Sequence, residues 1–315
     1  MDQDKLRLEF LRLGNHKTIK DCIDVINIYS DYFLQCASIH QNDNIGIIGE
    51  QDARLIIQML LTKTLHLKQL LAGINFQASN GVEIKNIIDP TVVGTLTRNL
   101  YETVAMFNLI YRSPKTEDEK LILYNLWVIA GYNYRQRFET KIRTPFTLAK
   151  LLKERKLIGE LIEAIKITEL FKSLNLKEQR KILNKVAEKD FKVSIENGIV
   201  KLYSWQGLTT LMGDNMVIMD TIYTYLSLYA HPSNVSVFQF GSFFENEDYL
   251  QTTSFHLRYF FILLSIFIAD YITVFPNAKK TFENFDIKTR VIIEHFNNFS
   301  RGKDFRISDS LSALG

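Results

Sequence analysis

Proline and glycine are scarce, at 5 and 14 of 315 residues. With so few helix-breaking or turn-forming residues, the elements between them must be long, which favours helices over short strands. Cysteine is nearly missing. Cys22 and Cys36 are too few for a disulfide framework or a cysteine-based zinc set. Both fall within one predicted helix, about four turns or ~21 Å apart, so a continuous helix keeps them from bridging. A reducing compartment, the cytoplasm, is the simple inference.

No long uncharged apolar run occurs either. The opening residues, Met1-Asp-Gln-Asp-Lys5, are charged and lack the apolar core of a signal peptide. The most hydrophobic stretch, Tyr259–Ala269, is bounded by Arg258 and Asp270 and falls short of the ~20 residues a bilayer crossing needs. Extending it to Phe275 would draw Asp270 into hydrocarbon, which is costly. The expectation is a buried core helix and no membrane span. Glycine-rich phosphate loops, GxSxG elbows and HExxH pairs are also missing. No Asp, Glu, His or Cys cluster has metal-ligand spacing, so neither a metal nor a cofactor is expected.

What is present is aromatic and apolar. The chain has 22 Phe and 14 Tyr, with 46% apolar and 23% charged residues; that balance is ordinary for a folded domain and excludes wholesale disorder. Helical spacing or capping signals mark helices at 18–40 and 50–74, then from Asp89-Pro90 to about Tyr111. Thr116-Glu-Asp-Glu119 reads as a capping box opening a helix to around Phe138, and Thr144-Pro145 starts another. Further helices are expected at 176–189, 214–230, 249–274 and 287–299, with a loop at 233–248. Asn80-Gly81 marks a turn. The residues from Lys192 to Tyr203 flank Asn197-Gly198, the strongest short hairpin signal. The expected fold is mainly all-α, a multi-helix bundle with a small β-hairpin insertion near 192–203. One helical unit spans 1–300, with a basic lobe at about 141–204 and a weakly ordered tail at 301–315.

Net charge is +3, but between positions 141 and 192 fourteen Lys and Arg face seven Asp and Glu. That segment is basic on a mildly acidic body. Lys150, Lys153, Arg155 and Lys156 are candidates for an RNA surface; a helical hairpin with a solvated lysine-rich face gives the same count.

Tyr223, Ser227 and His231 recur every four residues, which places them on one helix face. A histidine at a helix C-terminus suits acid–base work or contact with phosphate. Arg98 and Glu102, four apart on the Asp89-capped helix, form a second polar pair that a shared pocket would bring to His231. The bland alternative is a capping histidine, a serine bonded back to its own helix, and a surface ion pair worth ~0.3–0.5 kcal/mol.

The order Arg98-x-x-x-Glu102, Trp205-x-Gly207, Tyr223-x-x-x-Ser227-x-x-x-His231-x-Ser233 resembles a family of bacterial helical domains of unknown function related to HEPN domains. The likeness covers roughly 89–270. It implies a metal-independent ribonuclease of bacterial toxin or phage-defence systems, with its site at a homodimer interface around an Arg-x4–6-His motif. In such chemistry histidine moves protons and arginine stabilises the charged phosphorane. The sequence departs from that motif: positions five to seven before His231 are Leu226, Tyr225 and Thr224, so Arg98 would have to serve from another helix. The motif itself occurs as Arg290-Val-Ile-Ile-Glu-His295, the alternative pair. Two other functions compete. One is a non-catalytic helical module that binds a protein partner or ligand through the aromatic loop 235–244. The other is a membrane-active effector built on Tyr259–Phe275.

Overall fold

The computed structural model describes residues 3–141, 144–213, 219–245, 248–302 and 305–314. It is all-α in the main. In chain order come α1 (Gln3–Asn15), α2 (Ile19–Ile39), α3 (Glu50–Leu71), strands β1 (Ile74–Gln77) and β2 (Glu83–Ile87), and α4 (Pro90–Phe107). A π-helical turn at Asn108–Arg112 precedes α5 (Glu117–Gln136), α6 (Pro145–Ile167), α7 (Glu169–Ser173) and α8 (Leu176–Glu188). Strands β3 (Val193–Glu196) and β4 (Ile199–Leu202) lead to α9 (Thr209–Met212), α10 (Ile222–Ala230), α11 (Asn234–Glu245) and α12 (Asp248–Val274). The chain closes with α13 (Pro276–Glu283), α14 (Ile287–Arg301) and α15 (Ile307–Ala313).

These elements form two compact units, one of 1–45, 50–106 and 212–315, the other of 46–49 and 107–211. The basic stretch at 141–204 therefore belongs to a larger second unit that begins at Phe107, where the sequence reading took 1–300 as one.

Helix starts are where side-chain chemistry puts them. Thr18 and Thr116 accept from the N3 backbone amides of α2 and α5, and Asp21 and Glu119 close both capping boxes. Thr144 caps α6, with Pro145 in its first turn. The Asn-Gly signal is fulfilled: Asn197 and Gly198 take φ of 51° and 76°, and β3 pairs antiparallel with β4. Positive φ at both central residues is what a two-residue hairpin turn of matching twist requires.

The core of the first unit is α12. Every residue from Phe260 to Ile268 is buried, so this helix has no solvent face over that span. By length and composition it could cross a membrane, and 67% of its most apolar window is buried inside the unit. Tyr29 of α2 donates to Phe261 O at 3.2 Å and lies 2.7 Å from the Ser265 hydroxyl, Phe33 packs on Phe267, and His16 and Phe296 pack on Phe261. Asp270, 2% exposed, receives a two-pronged contact from Arg301 of α14 at 2.8 and 3.0 Å. Cys22 and Cys36 are free and buried in the continuous α2; burial pushes their thiols up to about 12 and about 11.

Three local expectations are corrected and one is extended. The stretch 233–248 is largely helix: Ser236 and Phe243, seven apart, both point inward and give α11 a buried stripe. The tail contains α15, whose Arg306 amide is bonded by Asp309 at 2.7 Å and whose Ser310 is buried against His295. The turn expected at Asn80-Gly81 is present, and the structure adds strands on either side of it, the hairpin β1–β2. The helix expected at 214–230 begins at Ile222 after Thr221 at φ 64°; residues 214–218 lie outside the described ones. Helices α1 and α13 had no counterpart in the sequence reading, although Leu6, Phe10 and Leu13 are buried at helical spacing in α1.

His16, His256 and His295 are each buried, and burial pushes each imidazole from its ordinary 6.5 down to about 4. The folded state therefore holds them neutral while the unfolded chain takes up protons. Their contribution is complete above pH 6.5 and is lost as pH falls towards 4, by up to roughly 3 kcal/mol for each histidine. Urea denaturation at pH 7, 5.5 and 4.5 should show this loss of stability, with a shallower dependence in His16→Asn. A stability flat across that window would contradict the assignment.

Candidate functional site

α4 and α10 bring the predicted residues together in the first unit. Asp89 fixes the start of α4 by accepting from the Thr91 amide at 2.8 Å and the Thr91 hydroxyl at 2.7 Å. α10 ends at His231, whose backbone is extended (φ −117°, ψ 143°), as the following Pro232 demands. Its amide still donates to Ser227 O at 3.1 Å. Ser233 then serves two helices. Its hydroxyl donates to Leu228 O at 3.0 Å and accepts from the Ser236 amide at 3.1 Å, closing α10 and opening α11.

The guanidinium of Arg98 is the hub. Nη1 lies 2.9 Å from His231 Nε2, and Nη2 donates to Tyr223 Oη at 2.7 Å and meets Glu102 Oε1 at 3.2 Å. Tyr223 Oη passes its own proton to Glu102 Oε1 at 3.2 Å, and its ring centroid is 4.9 Å from Arg98 Cζ. Because arginine only donates, the 2.9 Å contact needs a lone pair on His231 Nε2, which places the proton of the neutral ring on Nδ1. Burial raises the Tyr223 phenol, with Glu102 acting the same way and Arg98 opposing. The side chains of Arg98 and Glu102 are 18% and 28% exposed, and His231 is exposed; the hub is half-sunk with its histidine at the surface. Ser227 stands apart from this network, since its hydroxyl donates to Tyr223 O at 2.7 Å. It is the back-bonded serine of the bland alternative.

Sequence reasoning missed the residues that hold the two helices in place. His256 of α12 donates from Nδ1 to Pro90 O at 3.0 Å, and its ring packs 4.8 Å from that of Tyr229. Gly94 permits this approach: a Cβ there would lie 3.0 Å from His256 Cε1 and 3.2 Å from Tyr229 Cβ. Lys63 of α3 was also missed. It donates to Asn99 Oδ1 and, at 3.5 Å, to Thr103 Oγ1. Burial lowers its ammonium, with Glu102 opposing. On α3 Lys63 reads as one more polar position, and nothing in sequence ties it to α4.

The other predicted groups lie elsewhere. His295 is a core residue: Nδ1 is 3.1 Å from Ser310 Oγ, and Phe10, Phe296, Phe299 and Phe305 surround the ring. Arg290 is half-buried on the same helix, its Nε without a partner; the structure does not join the two. Lys150, Lys153, Arg155 and Lys156 are exposed on α6 of the second unit. Arg155 is bonded to Glu139 at 2.7 Å and Lys156 pairs with Glu160 at 3.6 Å. Val235–Phe244 forms most of α11, and Phe240 and Val237 line a cavity of about 380 Å3 with Tyr229, Pro232 and Thr91. Among the described residues no group of three or more His, Cys, Asp or Glu is placed to hold a metal ion.

The geometry makes a spectroscopic prediction. Nitrogen NMR of the His231 ring should show the Nδ1–H tautomer in the wild type, and Arg98→Leu should abolish that preference. An Nε2–H ring in the wild type would break the hub. Comparison of the chain with protein-family models, curated proteins and solved structures returned no match, so the functional reading rests on this geometry.

Proposed function

We propose that the Arg98–His231 hub is a phosphodiester site of a HEPN-like, metal-independent RNA-cleaving effector, acting in the cytoplasm as a homodimer in bacterial defence or as a toxin. The observation that carries the reading is the 2.9 Å approach of Arg98 Nη1 to His231 Nε2 from a different helix. It supplies the arginine that is missing at the motif spacing before His231.

An incoming phosphate competes with His231 for the guanidinium and frees the Nε2 lone pair. His231 then takes the proton of the ribose 2′-hydroxyl, whose oxygen attacks the adjacent phosphorus; the 5′-oxygen leaves and takes a proton from solvent, to which His231 afterwards returns its own. Arg98 faces the non-bridging oxygens, where charge develops in the phosphorane. Tyr223 and Glu102 hold the far edge of the guanidinium, so its orientation is set before substrate arrives. Lys150, Lys153 and Lys156 provide an RNA surface on the second unit, with Arg155 partly neutralised by Glu139.

α11 favours a second reading, a non-catalytic module that binds a protein or ligand. Val237, Phe238 and Phe240 are 60%, 75% and 44% exposed on this helix, and clustered exposed apolar side chains mark interfaces.

The test is RNA cleavage by purified protein in the presence of EDTA. His231→Ala and Arg98→Ala should each lose about 100-fold or more. His295→Ala should lower stability and keep the cleavage rate of the folded fraction. Cleavage undiminished in His231→Ala, or none by the wild type on several RNAs, would overturn the nuclease and leave the binding module.

A further inference from the structure

Asn99 and Thr103, the two partners of Lys63, each stand one residue beyond Arg98 and Glu102 on α4. The two i,i+4 pairs are therefore neighbouring ridges of one helix, offset by ~1.5 Å of rise and ~100° of turn. Glu102 is drawn to two cations, Arg98 at 3.2 Å on its own ridge and Lys63 reaching in from α3. Two cations and one carboxylate leave this part of α4 with a net positive charge.

The bonds that hold Lys63 are unusual for a purely structural lysine. Both acceptors are neutral oxygens. Thr103 gives its own proton to Asn99 O at 2.9 Å, which leaves its lone pairs for the ammonium. Half-burying an ammonium on neutral partners is unfavourable relative to water. The same burial pushes the ammonium below its ordinary range. Such an arrangement fixes the position of the charge without cancelling it. Asn99 is exposed, so an anion can reach the ammonium from solvent.

We propose that Lys63 is a second phosphate contact of this site, so that the hub binds two successive phosphates of a single-stranded RNA rather than one. The proposal rests on the RNA reading given above. Arg98 and His231 face the reacting phosphate, Lys63 faces its neighbour along the strand, and Glu102 holds Arg98. Lys63 touches substrate but not the reacting atoms. It anchors the strand next to the bond that breaks.

The probe is a 2′-O-methyl RNA octamer, which binds but lacks the attacking hydroxyl, titrated by fluorescence anisotropy between 50 and 200 mM salt. Lys63→Met should weaken binding about tenfold and flatten the slope of log K against log salt by about 0.7, the contribution of one contact to a single strand. Lys63→Arg should keep the slope. Asn99→Asp leaves the lysine in place but pairs its charge, and should lose the same 0.7 or so; it guards against a Lys63→Met protein that folds poorly. A salt slope unchanged in Lys63→Met and Asn99→Asp, or no binding of the octamer by the wild type, overturns the proposal. Cleavage of unmodified RNA is scored separately. Cleavage with an unaltered slope removes Lys63 alone, whereas Lys63-dependent binding without cleavage upholds the contact and removes the nuclease.

Discussion

The burial of α12 from Phe260 to Ile268 is the constraint on which the first unit depends. A helix apolar on every side from Phe260 to Ile268 cannot lie at a water-facing surface, so α2, α13 and α14 must cover it. Each of its large side chains contributes on the order of 1.5–3 kcal/mol by leaving water. Burying this helix also traps polar groups; Thr253 Oγ1 has no hydrogen-bond partner, whereas three others are answered. Ser265 bonds Tyr29, Asp270 is gripped by Arg301, and His256 reaches Pro90 O. Breaking a buried pair such as Asp270–Arg301 typically costs about 3–5 kcal/mol, because the remaining charge is stranded.

The contact of His256 with Pro90 carries that constraint to the candidate site. Pro90 begins α4, Gly94 lets His256 approach, and Tyr229 of α10 packs on the same ring. The spacing between Arg98 and His231 is thus set by a core histidine on a third helix. Packed side chains hold such distances more tightly than loops do, which is what a site of fixed geometry needs.

Features encoded by near neighbours were legible in the sequence. Thr18, Thr116 and Thr144 cap helices through bonds to residues three positions on, and Asn197-Gly198 turns a hairpin by its own backbone preference. The four-residue spacings pointed to Arg98, Glu102, Tyr223 and His231, which the structure brings together, while Ser227 bonds back to its own helix. Legibility ended where partners are remote. Lys63 meets Asn99 only in three dimensions, and Gly94 gives no sign of the imidazole above it. α11 was read as a loop because its exposed Val237, Phe238 and Phe240 obscure the narrow inward stripe of Ser236 and Phe243. β1–β2 was legible in principle, since Ile74-Asn-Phe76-Gln77 and Val82-Glu-Ile84-Lys85 alternate apolar and polar residues around Asn80-Gly81, but each run is only four residues long and its apolar side chains stay exposed.

The hub has one consequence for selectivity. Arg98 already has His231, Tyr223 and Glu102 around its guanidinium, so an anion enters by exchange rather than by filling a gap. A halide offers a single point charge and no directed lone pairs to match what it displaces. A phosphodiester offers two non-bridging oxygens whose spacing suits the fork of a guanidinium. On the proposed reading, a resting site closed on itself works as a threshold, indifferent to the abundant simple ions of its surroundings and open to a multidentate oxyanion.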